Sequence, residues 1–166
     1  MHVLSVPGRT SGRLRSTPVS PLTVNGQRYI VGGLAGADWV KNARAAGWGI
    51  LAHGRKKERV VLIELPVEQR APILRAFPRE VPHGVQFFQR LYGLPKDPAA
   101  LPDAFAALAW QCPVFRIEPA PEAFHHAHEK GEPNRGDGLP AEKGGDFALT
   151  MFSYSSVLAE TSIVNR

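Results

Sequence analysis

Asn25-Gly26 stands between two runs of strand-forming residues, Pro18–Val24 and Gln27–Leu34. A two-residue link of this composition suits a type I′ turn, because both central positions need positive φ. The chain must therefore fold back on itself as an antiparallel pair near its start. A second pair follows, Trp48–Ala52 and Arg59–Leu65, around the polar turn HGRKKE. RVVLIEL is a continuous apolar run, the pattern of a strand buried on both faces. His2–Val6 and Val114–Ile117 read as the first and last strands.

Helical stretches are fewer in the first half. GADWVKNARAAG predicts a short helix over Gly36–Ala46, with Asp38 as its cap and Trp39, Ala43 and Ala46 on one face. Further helices are expected over Pro66–Phe77, over Val81–Tyr92 and within DPAALPDAFAALAW. The sum is a mainly β chain of the α+β class, with about six antiparallel strands and peripheral helices over residues 1–119. Such a sheet tends to close as a barrel, which removes exposed edges. Residues 120–166 form a separate appendage. It begins with the Gly/Pro-rich stretch HHAHEKGEPNRGDGLPAEKGGD, expected to be a disordered linker.

The charge is uneven. The formal net charge is +5, from 20 Lys and Arg against 15 Asp and Glu. In residues 1–60, Arg9, Arg13, Arg15, Arg28, Lys41, Arg44, Arg55, Lys56, Lys57 and Arg59 face only Asp38 and Glu58. An anionic partner follows: a phosphorylated cofactor, a polyanion or a membrane surface. The single Cys112 excludes an internal disulfide framework and a Cys-rich zinc site. Beside Pro113, it reads as a buried structural thiol. No apolar run reaches the roughly 18 residues of a membrane span. The opening stretch is too short and too soon basic for a secretory signal.

The segment VPGRTSGRLRSTPVSPL concentrates this charge. Its glycines, hydroxyls and three arginines suit phosphate oxygens, through backbone N–H groups and bidentate guanidinium bonds. It is neither a Walker A loop nor a dinucleotide fingerprint. A merely solubilising β-turn is the plain alternative. Nucleic acid is a poorer one, since no aromatics are interleaved with the arginines. The turn GRKK at 54–57 reads as a solvated hairpin tip, with a membrane or cofactor-tail contact as the lesser option. Trp48 and Trp110 are expected in the core. His125, His126 and His128 lack a carboxylate or cysteine at ligand spacing, so no metal site is expected.

Taken in order, PGRTSGRLRSTPV, VNGQRYIVGG and WVKNARAAG resemble the deazaflavin-dependent nitroreductase family. The resemblance covers residues 2–65 well and 66–119 loosely. It implies a split β-barrel that binds the deazaflavin coenzyme F-420, whose phosphodiester and oligoglutamate tail are both anionic; FMN is the alternative for the same fold. Residue by residue, it implies that Arg9, Thr10, Ser11, Gly12, Arg13 and Arg15 hold the phosphate and tail. Pro18 and Val19 would line the route to the ring. Gly32, Gly33, Leu34, Ala35, Gly36 and Ala37 would place backbone against the ring or its polyol. Trp39 and Asn42 would fix the helix beneath that turn.

The implied reaction is hydride transfer to an electron-poor organic acceptor such as a quinone, an enone or a nitro compound. That chemistry resides in the cofactor and needs no side-chain nucleophile. Tyr92 and His83 are candidate proton donors, each with an ordinary structural alternative. A cofactor- or lipid-binding barrel without turnover is the rival reading. A cytoplasmic monomer or homodimer, with peripheral membrane contact as an option, completes the expectation. Three departures from the family stand out. This sequence opens directly on a strand where members usually carry a helix first. The loop lysine of the family is Thr10 here. The family's serine after the second hairpin strand falls among Gly32, Gly33 and Leu34, so no hydroxyl is available there.

Overall fold

The computed structural model describes residues 1–121. The appendage expected from residue 120 onward, with His125, His126 and His128, lies outside the described residues apart from its first two positions. Seven strands form one antiparallel sheet: β1 (His2–Pro7), β2 (Leu14–Val19), β3 (Leu22–Val24), β4 (Gln27–Val31), β5 (Trp48–His53), β6 (Lys56–Glu64) and β7 (Val114–Pro119). Their order across the sheet is β2-β1-β5-β6-β7-β4-β3.

That order dictates the shape. β2 and β3 lie at opposite ends of the sheet, yet only Ser20 and Pro21 separate them. Laid flat, six strand spacings would hold them about 29 Å apart. The three Cα steps from Val19 to Leu22 reach at most about 11 Å. The sheet must therefore curl until its edges approach, as the split barrel expected from sequence requires. Pro18 and Pro21 lack an N–H, which disfavours a ladder at that seam.

The turn at Asn25-Gly26 is present. Asn25 has φ 50° and Gly26 φ 77°, and Val24 pairs with Gln27. The sheet has seven strands, one more than the sequence suggested. The extra one is β2, placed by pairing Leu14–Val19 with β1. Its sequence, LRSTPV, has no clean alternation, so it reads locally as loop. Arg15 accordingly stands on a strand.

Period-two alternation assigns the faces. Leu4, Val6, Val19, Ile30, Leu51, Val60, Leu62, Phe115 and Ile117 fill the inside of the curl. Helix α1 (Asp38–Ala46) adds Val40 and Ala43 to that core. Val60, Val61 and Leu62 are all buried, as the unbroken apolar run predicted.

A second core packs α2 (Val67–Glu80), α3 (Val85–Tyr92) and α4 (Leu101–Ala106) over Leu22 and Val114. At its centre Phe77 stacks on Phe105 with ring centroids 5.2 Å apart, and Phe88 lies edge-on to Phe77 at 4.9 Å. Cys112 is buried there as expected, and burial pushes its thiol up to about 11. Trp48 is in the core, but Trp110 is 78 % exposed. It ends a short 3-10 segment, Ala107–Trp110, whose inward positions are Leu108 and Ala109. No described helix is long and apolar enough to cross a membrane.

Candidate functional site

The segment from Gly8 to Arg13 closes on itself. The Gly8 N–H donates to the Arg13 carbonyl and the Gly12 N–H to the Gly8 carbonyl, both at 2.8 Å. Gly12 takes φ +67°, where a side chain would be strained. The Arg13 N–H donates to Ser11 Oγ at 3.3 Å. The sequence suggested that the loop's backbone N–H groups would be offered to phosphate oxygens. Instead Gly8, Gly12 and Arg13 spend their N–H groups on the loop's own closure.

Arg9 has partners within the chain. Its backbone N–H and its Nη1 both donate to Asn42 Oδ1, at 3.1 and 2.9 Å. Its Nη2 donates to Asp38 Oδ1 at 3.1 Å. Asn42 is only 5 % exposed, so this amide is a buried anchor on α1. Arg9 thus clamps the loop onto the helix through two of its guanidinium N–H groups, while the side chain still borders the cleft. Asp38 does not cap α1. Ala37 occupies the N-cap and makes no side-chain cap bond, while the Asp38 carboxylate stands at the rim facing Arg9.

The clamp shapes a cleft of about 670 Å³ between the loop, β2 and the start of α1. Of the expected phosphate ligands, Arg9, Thr10, Ser11 and Arg15 line it; Gly12 and Arg13 do not. Gly8, Ser16, Thr17 and Asp38 also line it. Among the described residues Arg15 has no carboxylate partner, and the hydroxyl of Thr10 is uncommitted. Ser16 Oγ is engaged with Ser5 Oγ at 2.8 Å. The uncapped N-terminus of α1 adds partial positive charge beside the cleft.

A second recess, about 260 Å³, continues along β2. Pro18, Val19, Gly33 and Trp39 line it. Trp39 borders both cavities. Ser20, Val31, Val81, Gly84, Phe87 and Phe88 complete most of the wall. Phe87 was not anticipated. It is half exposed and lies off the α3 face that carries Val85, Phe88 and Tyr92, which is the signal that marks it. A Cβ on Gly33 would stand 2.5 Å from the Phe87 ring, so the Gly-rich turn and this ring touch only because residue 33 has no side chain.

The other turn residues play different parts. Gly32 packs against Pro113, Val40 and Trp39, and its N–H donates to the Pro113 carbonyl at 2.8 Å. Leu34 is exposed, Gly36 faces open space and Ala37 occupies the N-cap position of α1 without a cap bond. With Ala35, they line neither cavity.

Tyr92 donates its hydroxyl to the Gly33 carbonyl at 2.5 Å. Burial, with the Cys112 thiol adding to it, pushes Tyr92 up to about 12. A phenol held this way braces the turn and is a poor acid. His83 is exposed, and its Nε2 lies 2.9 Å from Ser20 Oγ. The basic turn at 54–57 closes the β5–β6 ladder beyond His53. There the His53 ring stacks on His2, at the end of β1 opposite to Pro7. The two basic turns are thus separated by about 17 Å of strand, which excludes one compact anion site using both.

No family model matches this chain, and no curated protein matches it. Solved structures do show similarity. One is described as an F-420-H2 dependent reductase; it is 20 % identical, with a TM-score of 0.47, and the match covers 70 % of this chain and 92 % of that one. Another, described as a domain-swapped dimer, is 20 % identical over 70 % of this chain and 78 % of that one, with a TM-score of 0.48. A conserved hypothetical protein from Mycobacterium tuberculosis is 14 % identical over 89 % and 85 % of the two chains, with a TM-score of 0.44.

Proposed function

We propose that this chain is an oxidoreductase that holds the deazaflavin coenzyme F-420 and reduces an electron-poor organic acceptor. One observation carries the reading: a polar, arginine-bearing cleft and an apolar recess lie end to end along β2 and share Trp39. A cofactor with an anionic tail and a flat ring needs those two environments joined in that order. The cleft has the size expected of a small-molecule site. The motif resemblance supports the same assignment.

In this reading Arg15, Thr10 and Ser11 hold phosphate oxygens. Arg15 supplies the charge, and the hydroxyls supply direction. Arg9 and Asn42 act by keeping the loop on α1. Arg13, outside the cleft, extends positive charge toward an anionic tail. Pro18, Val19 and Trp39 flank the ring, and Gly33 admits it beside Phe87. Once bound and reduced, such a coenzyme supplies hydride, and the protein supplies position and exclusion of water.

A fluorescence titration with the coenzyme, with FMN in parallel, tests the assignment. Wild type should bind the coenzyme, and a double Arg13→Ala/Arg15→Ala variant should lose most of that affinity. Retention of FMN binding alone would keep the cavity and change the cofactor. A binder without turnover is the second reading, favoured by the commitment of the Tyr92 hydroxyl to Gly33. It requires tight binding with no reduction of quinone, enone or nitro acceptors.

A further inference from the structure

The polar cleft is lined by one carboxylate, Asp38, among groups otherwise suited to an anion. Its Oδ1 accepts Arg9 Nη2 at 3.1 Å, while Arg9 Nη1 is given to Asn42. Asp38 is also the first residue of α1, so it stands against the partial positive charge of that helix end. One carboxylate therefore offsets two of the three positive sources at the cleft. Arg15 is the third, and among the described residues it has no carboxylate partner. Arg9 and Arg15 against Asp38 leave the lining side chains with a net charge of +1.

That balance distinguishes two kinds of phosphate. A phosphodiester carries one negative charge, and a phosphomonoester carries nearly two above its second ionisation. The first charge meets Arg15, whose guanidinium takes two oxygens at once. A second charge finds no uncompensated cation in the cleft and faces the Asp38 carboxylate. Taking it out of water without a partner is costly. Hydrogen bonding to Arg9 does not call for an acid at this position, since the amide of an asparagine also accepts. What the acid adds is its charge.

We propose that Asp38 is a specificity-determining residue of the cleft, favouring a singly charged phosphodiester over a doubly charged phosphomonoester. The proposal rests on the cofactor reading for the natural ligand, but not for the charge selection. The deazaflavin coenzyme carries a phosphodiester, whereas FMN, the alternative for the same fold, carries a phosphomonoester. Asp38 thus separates two cofactors whose flat rings suit the same recess. Arg13, outside the cleft, remains for carboxylates farther along an anionic tail.

The test compares FMN with its phosphate methyl ester, which share one ring and differ by one charge. Both are titrated by fluorescence into the full chain at about pH 8, where FMN's phosphate is doubly charged, at low salt and with the deazaflavin coenzyme alongside. Wild type should hold the methyl ester more tightly than FMN. Asp38→Asn keeps an acceptor for Arg9 and removes the charge. It should move the ratio of the two dissociation constants toward FMN by about fivefold, the worth of one unit charge about 4 Å away in water. Asp38→Glu, which keeps the charge, should keep the wild-type ratio. A purely structural role would weaken both ligands equally. A wild-type preference for FMN, or an Asp38→Asn ratio equal to that of wild type, would overturn the proposal; coenzyme binding in that chain would leave the cofactor reading standing. A ratio that moves in a chain that binds no coenzyme would sustain the role of Asp38 and remove the cofactor assignment. Binding of none of the three ligands would overturn both.

Discussion

Two basic turns of similar composition have different surroundings. The turn after β1 contains Arg9 and Arg13, with Arg15 just beyond it on β2; the turn after β5 contains Arg55, with Lys56 and Lys57 opening β6. The first is closed by its own hydrogen bonds, clamped to α1 through Asn42, and borders a cleft. The second is a bare hairpin tip with Gly54 at φ +60°. Charge alone does not distinguish them. What distinguishes them is a buried partner for one arginine, which leaves another arginine facing a concavity.

The comparison can be broken most forcefully at the clamp. Asn42→Ala removes both bonds to Arg9, and loss of a buried hydrogen-bonding partner should cost about 1–3 kcal/mol of stability. The measurement is denaturant unfolding, with coenzyme affinity falling more than about tenfold alongside. An unchanged affinity would mean that the clamp does not shape the cleft.

Next comes Arg15→Ala, which leaves the fold alone and removes from the cleft the cation without a carboxylate partner. Loss of a charge-assisted bond of about 1.5–3 kcal/mol corresponds to an affinity loss of roughly 10- to 150-fold by calorimetry. Raising the salt should weaken the wild type toward the variant.

A smaller effect is expected from pH, through the other end of α1. Arg44, in its last turn, donates Nε and Nη2 to Glu64 on β6, both at 2.7 Å. The bond to Arg44 holds the Glu64 carboxyl below its ordinary value. A lowered folded value stabilises the protein above the unfolded value, and that contribution is lost as pH falls through the folded one. Thermal stability should therefore drop from about pH 5 downward, and Glu64→Gln should flatten that limb. Equal acid sensitivity in the variant would assign the drop to other carboxylates. The smallest effect belongs to the second turn: Arg55→Ala/Lys56→Ala/Lys57→Ala should change coenzyme affinity by less than about twofold, as expected for exposed charges farther than a Debye length from the site.

What was legible in the sequence was local. Asn25-Gly26 specifies its turn by φ, and RVVLIEL announces burial by composition. The helix around Trp39 follows from spacing. The remainder depends on residues that are distant along the chain. LRSTPV becomes a strand only because β1 pairs with it. Arg9 is captured by an amide 33 residues away, and Ser20 meets His83 across 63. The helix expected over Val81–Tyr92 could not tell that Phe87 would border a recess. Trp110 was placed inside by its bulk, whereas its short 3-10 segment turns Leu108 and Ala109 inward instead.

The most direct test of the central claim is amide chemical-shift mapping of the nitrogen-15-labelled chain as the deazaflavin coenzyme is added. The account predicts shifts confined to the amides of Gly8–Arg15, the first turn of α1, Val19 and Gly33, with Gly54–Lys57 unmoved. Shifts at Gly54–Lys57 that leave the first turn silent, or none in either turn, would contradict it.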